Sequence, residues 1–164
     1  MFHKLAQSLL LYTYNNMFKI FYAFFFFTLL TSFKGDVQTP LDLEWETLAN
    51  LDFKKKWNEE YKMNIEIPVF SNDIKKLAGK PVSIAGFLIP ITTYGNEYVL
   101  SQNPYAGCYF CGNAGIESVM DLKFKNNAIR YKLDKYVVLQ GTLQLNDKDA
   151  TKFIYTLNNA IEVK

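Results

Sequence analysis

Beyond residue 80, apolar side chains recur at every second position. Val82-Ser83-Ile84-Ala85 runs into Gly86-Phe87-Leu88-Ile89, and Tyr136-Val137-Val138-Leu139 runs into Gln140-Gly141-Thr142-Leu143-Gln144-Leu145. A period of two puts alternate residues on opposite faces of a pleated strand, so both runs predict strands. Residues 97–101, 153–157 and 160–163 predict shorter ones. The run 153–157 is the expected hairpin partner of 136–145, across the turn Asn146-Asp147-Lys148-Asp149. Tyr94-Gly95-Asn96 marks another turn, and 116–124 reads as a strand, or as a helix opened at Gly115.

Before residue 80 the spacing lengthens. Leu41, Trp45 and Leu48 fall three or four apart and Trp57 and Tyr61 four apart, which predicts partly helical structure over 41–61. Asp52 is the expected cap of a turn over 53–60. Residues 66–70 predict a short extended piece that Pro68 confines to an edge. Ser71-Asn72-Asp73 is a capping sequence for a brief helix over 73–78, which Gly79 ends.

The two strongest strands each carry an internal glycine, Gly86 and Gly141. Small closed barrels need such positions where a strand turns a corner and a side chain would clash. About five strands in the last half of the chain fit a mainly β fold, a small OB-like closed barrel with an N-terminal helical segment. A β-sandwich is the alternative. The expected layout is a leader over 1–35, a linker and helical segment over 36–79 packed on the barrel through Trp45, Leu48, Phe53 and Trp57, and the barrel over 80–164.

Composition changes the picture mainly at the N-terminus. Aromatic residues make up 16% of the chain, and many crowd into one block, so the remainder is ordinary for a soluble domain. Lys19 precedes an uncharged apolar run of 14 residues, 20–33, with Met17 as a candidate start. That run matches a signal-peptide core and is short for a membrane span of about 20 residues. Leu30 and Phe33 stand where a cleavage site wants small residues, so membrane attachment through an uncleaved leader stays open. A buried core helix is the plain alternative, but Phe24 to Phe27 in succession do not fit one face of a soluble helix. The expectation is an exported, periplasmic or envelope-associated protein.

Net charge is +2, and the first 35 residues hold three lysines and no acid, so the rest carries −1. A near-neutral exported domain has no electrostatic reason to meet nucleic acid. Lys123, Lys125, Arg130 and Lys132 read as a solvated strand face. The only histidine, His3, precedes the leader core, which removes Ser-His-Asp and Cys-His dyads from the mature domain. Phosphate loops and dinucleotide fingerprints are missing, and the carboxylates are too scattered for a glycosidase pair.

Cys108 and Cys111 remain as the candidate chemistry, the only cysteines, two residues apart inside a Gly-rich, aromatic-flanked segment. Two thiolates at this spacing fit adjacent corners of a metal site. Glu117 is the candidate third ligand; Asp121, water or a second subunit's pair could complete a zinc site, and two thiolates alone suit Cu(I). A homodimer would pool four thiolates. In an oxidising compartment the same pair can close a permanent Cys108–Cys111 disulfide, although so small a ring adds only about 2 kcal/mol. A thioredoxin-type oxidoreductase fits less well. The chain has no proline after Pro104 to face the pair, and Gly112 and Gly115 weaken a helix starting at Cys111.

Trp45-x-x-Leu48, Gly86-Phe87-Leu88-Ile89-Pro90, Tyr98-Val99-Leu100-Ser101 and the segment Pro104-Tyr105-x-x-Cys108-Tyr109-Phe110-Cys111-Gly112-x-Ala114-Gly115-x-Glu117 carry a further signal. Together they resemble a family of uncharacterised exported proteins of Bacteroidetes-type bacteria, related to a broader periplasmic family of unknown function. The resemblance spans most of the chain after Leu41. It implies export, an OB-like domain and the cysteine loop as the site; it implies no reaction. The expected function is a non-enzymatic envelope protein that binds Zn or Cu(I), with a metal ion or another envelope protein as partner.

Overall fold

The computed structural model describes Lys19 and residues 38–92, 97–126 and 130–163. The predicted leader, apart from Lys19, and the predicted turn at 94–96 lie outside the described residues. The chain divides into two units, Met1–Val37 and Gln38–Lys164. The barrel and the elements around it belong to the second unit.

Five strands close into a barrel: β4 (Pro81–Pro90), β5 (Tyr98–Ser101), β6 (Val119–Phe124), β7 (Lys135–Leu145) and β8 (Tyr155–Val163). Their order is β4-β5-β6-β8-β7, and β7 pairs back onto β4. The β6–β8 pairing is parallel and the other four barrel pairings are antiparallel. This is the OB-like barrel that the alternation predicted. A two-residue strand β1 (Leu41–Asp42) runs parallel to the start of β4, with Leu41 opposite Val82.

The alternation translates directly into burial. Val82, Ile84 and Leu88 of β4, Leu139 and Leu143 of β7, and Leu157 of β8 point into one core with Tyr98, Leu100, Met120 and Tyr155. The two internal glycines sit where strands approach too closely for a side chain. A β-carbon at Gly86 would come 2.7 Å from the Ser101 carbonyl oxygen, and one at Gly141 would come 2.7 Å from the Asn158 carbonyl oxygen. The β7–β8 register shifts between Gln140 and Thr142, so Gly141 marks the bulge at which the sheet curves.

The segment before the barrel departs from expectation. Its helical content is α1 (Trp45–Leu48) and α2 (Asn72–Leu77). Residues 53–60 do not form the predicted helical turn. Instead β2 (Leu51–Asn58) pairs with β3 (Met63–Phe70) as a separate antiparallel hairpin, Phe53 opposite Pro68 and Trp57 opposite Asn64. Leu51, Phe53 and Trp57 fit a period of two as well as a helical one, and the turn decides between them. The Asn58 side chain accepts the N–H groups of Glu60 and Tyr61, and Lys62 adopts φ +50, reversing the chain. Trp45 and Leu48 are buried as expected, but Phe53 and Trp57 are 43% and 51% exposed. Trp45 also donates its indole N–H to the Ala85 carbonyl at 2.8 Å. Ser71 caps α2 by accepting the Ile74 N–H, and Ile74 joins the core.

Candidate functional site

The cysteines lie on the connection between β5 and β6. It is built from short 3-10 turns: Tyr105–Gly107, Tyr109–Cys111 and Ile116–Ser118, the last leading into β6. Residues 116–118 are therefore neither the predicted strand nor an α-helix. Gly112 ends the middle turn in the left-handed region at φ 74.

What lies beneath explains why the loop is held. β5 is buried on both faces. Tyr98 and Leu100 face the barrel core, while Val99 faces out and meets Ile89, its partner on β4. Val119 completes this outer patch, and Cys108 sits on it fully buried. Cys108 thus anchors the loop as a small apolar side chain, covering a part of the barrel surface that would otherwise expose Ile89, Val99 and Val119. Cys111 is exposed.

One backbone carbonyl gathers the pair. The Tyr105 oxygen accepts the Cys108 N–H at 3.3 Å and the Cys111 thiol at 3.0 Å. The Cys111 N–H in turn donates to the Cys108 oxygen at 3.1 Å. Partial desolvation, then the neighbouring Cys108 with its charge and side-chain hydrogen bond, push the Cys111 thiol above its ordinary range. Both cysteines are free thiols in this structure.

Two further side chains fix the loop. Asp134, at φ +59, accepts the Tyr105 N–H at 2.7 Å and donates its own N–H to the Leu88 carbonyl. Asn113 donates its side-chain amide to the Ala106 carbonyl at 3.0 Å. The Asp134 contact was not legible in the sequence, because only the closed barrel brings the β6–β7 connection to Tyr105.

Glu117 goes elsewhere. Its carboxylate folds back over Gly115, where a β-carbon would collide with it. It lines an open groove of about 350 Å³ walled by the β2–β3 hairpin, the end of the cysteine loop and the β7–β8 connection. Asp121 is engaged with Lys123 at 2.8 Å. Among the described residues, no three His, Cys, Asp or Glu side chains are gathered so as to hold a metal ion. The structure brings Cys108 and Cys111 together and leaves Glu117 apart from them.

The β7–β8 connection that forms the far wall of the groove is rigidly organised. The Asn146 side chain accepts the N–H groups of Lys148 and Asp149 and donates to the carbonyls of Asp149 and Phe153. Asp149 accepts the Thr151 hydroxyl and pairs with Lys152, contacts that lower its pKa to about 2.

No protein-family model and no curated protein matches the chain. Among solved structures, it is similar to a DUF3299 family protein from Pseudomonas aeruginosa PAO1. That likeness has 14% sequence identity and a TM-score of 0.47, and covers 77% of this chain and 98% of the other.

Proposed function

We propose that the chain is an exported envelope protein of the Bacteroidetes-type family it resembles, and that its cysteine loop takes up a soft cation through the two sulfurs alone, Cu(I) rather than Zn. The observation that carries this reading is the Tyr105 carbonyl, which accepts both the Cys108 N–H and the Cys111 thiol and so gathers the pair, with no third donor beside them among the described residues. Zinc sites in single chains use four ligands, whereas soft thiolates select Cu(I) and two of them satisfy it. Zinc would require a second copy to supply another pair. The buried Cys108 and the ties from Asp134 and Asn113 hold the pair in place before any ion arrives.

Uptake exchanges one Cu(I) ion for two protons, one from each thiol. Since the Cys111 thiol titrates above its ordinary range, it is protonated at neutral pH and protons compete with the metal. Apparent affinity therefore rises with pH, by about tenfold per unit for each proton displaced, until the thiols themselves ionise. The test is anaerobic titration of reduced protein with Cu(I) against a chromophoric chelator between about pH 6 and 9. One equivalent bound by the wild type, lost in Cys108→Ser and in Cys111→Ser, is the expected result. Equal uptake by the double serine variant removes the reading.

The same gathering of the two cysteines at Tyr105 favours a second reading, a permanent Cys108–Cys111 disulfide in an interaction domain. Alkylation and mass spectrometry of protein taken directly from the envelope separate the two: complete protection of both sulfurs that only a reductant reverses favours the bond.

A further inference from the structure

The groove that Glu117 lines is separate from the sulfur pair and has a chemistry of its own. Its inner wall is apolar, with Ile67, Pro68, Ile116 and Ile154, and two aromatic rings, Phe53 and Tyr109, stand at its sides. Its charged lining is Glu66, Glu117, Asp147 and Asp149 against Lys148 and Lys152. Lys152 is bound to Asp149 at 2.9 Å, which takes both out of play. What remains is three carboxylates facing one amine. No salt bridge among the described residues engages Glu117, although it is half-buried.

We infer that this groove receives a basic side chain, lysine or arginine, presented by an extended segment of a partner polypeptide. The geometry suits both parts of such a side chain. Its aliphatic stem can lie along Ile67 and Ile116, beside the rings of Phe53 and Tyr109. Its charge ends at Glu117, whose partial burial strengthens an ion pair relative to one in open water. The excess of carboxylates attracts a cation and repels an acidic segment. One wall of the groove is a two-stranded hairpin whose strands, among the described residues, pair only with each other and so each keep an open edge, which favours an extended chain as the carrier.

The experiment titrates isotopically labelled protein with a short extended peptide carrying two lysines, and with its twin acetylated at both. Expected are amide shifts confined to Phe53, Ile67, residues 115–117 and 147–152, at least tenfold weaker binding to Glu117→Gln, and weakening as salt is raised. Protein kept free of metal by a chelator should bind the peptide as untreated protein does, so this site stands or falls apart from metal uptake. Equal shifts with the acetylated twin, unchanged affinity in Glu117→Gln, or no shift at millimolar peptide overturns the assignment. The Asp147→Asn variant guards against a folding defect at Glu117: it removes a neighbouring exposed charge, and a severalfold loss of affinity there is the matching result.

Discussion

The barrel and the β2–β3 hairpin are both largely antiparallel β structure of similar strand length, yet they are held by different forces. In the barrel, Leu139, Leu143 and Leu157 are fully buried, and strands far apart in sequence are joined: β4 pairs with β7, and β6 with β8. In the hairpin, Phe53, Trp57, Tyr61 and Met63 stay exposed, and the bonds near its tip are local, Trp57 to Glu59 and Lys62 to Glu59. The base alone is anchored, through Ile67 and Phe70. The barrel is stabilised by removing apolar area from water; the hairpin is carried by its base and its turn, because an isolated two-stranded ribbon is marginal. Apolar alternation without a second surface to bury against leaves exposed aromatic side chains rather than core.

That comparison predicts unequal responses to substitution. Leu139→Ala leaves a cavity around a side chain with no exposed face and should cost about 2–5 kcal/mol in denaturant unfolding. Gly141→Ala places a β-carbon against the Asn158 carbonyl and Leu157, neither with room to retreat. Its expected cost is about 1–3 kcal/mol; a neutral result would show that the bulge, not the packing, places the glycine there. Tyr155→Phe comes next. The Tyr155 hydroxyl donates to the Leu48 carbonyl at 2.7 Å inside the core, joining α1 to β8 across the chain. Its loss leaves a buried carbonyl without that donor, a cost of about 1–2 kcal/mol. Burial, then the charge of Glu117, pushes this hydroxyl far above its usual range. It therefore stays protonated in the folded state while the unfolded tyrosine ionises near its ordinary value. A folded pKa raised above the unfolded one contributes stability below that unfolded value and loses it as pH climbs beyond. The wild type should thus lose stability above about pH 10 more steeply than Tyr155→Phe.

The closed barrel was legible because its two longest strands, β4 and β7, obey one period with no competitor, and because Gly86 and Gly141 interrupt runs too apolar to be loops. The region 51–61 misleads for a definite reason: Leu51, Phe53, Trp57 and Tyr61 satisfy both periods, and the deciding features are an Asn58 side chain and a left-handed Lys62, neither of which changes the apolar spacing. The cysteine pair was legible as a candidate site from spacing alone. The placement of Glu117 was not, since its short separation from Cys111 fits a ligand as well as it fits a turn folding back on Gly115. The same limit applies to the groove, whose walls come from three segments that only the closed barrel and its docked hairpin bring together.

The smallest expected effect tests the comparison most directly. Trp57→Ala removes the largest side chain of the hairpin and its 2.8 Å bond to Glu59, and by size alone it should be as damaging as a core truncation. Because half the ring already faces water and the bond it loses is exposed, the global cost should stay within about 0.5 kcal/mol. The change should surface in local opening instead. Amide hydrogen exchange should quicken in β2 and β3 near the tip and remain unchanged in β7 and β8, as expected of a unit that opens without the core. If exchange in the barrel strands rises in step, the hairpin is part of one cooperative whole, and the exposed aromatics are helping to hold the barrel from outside.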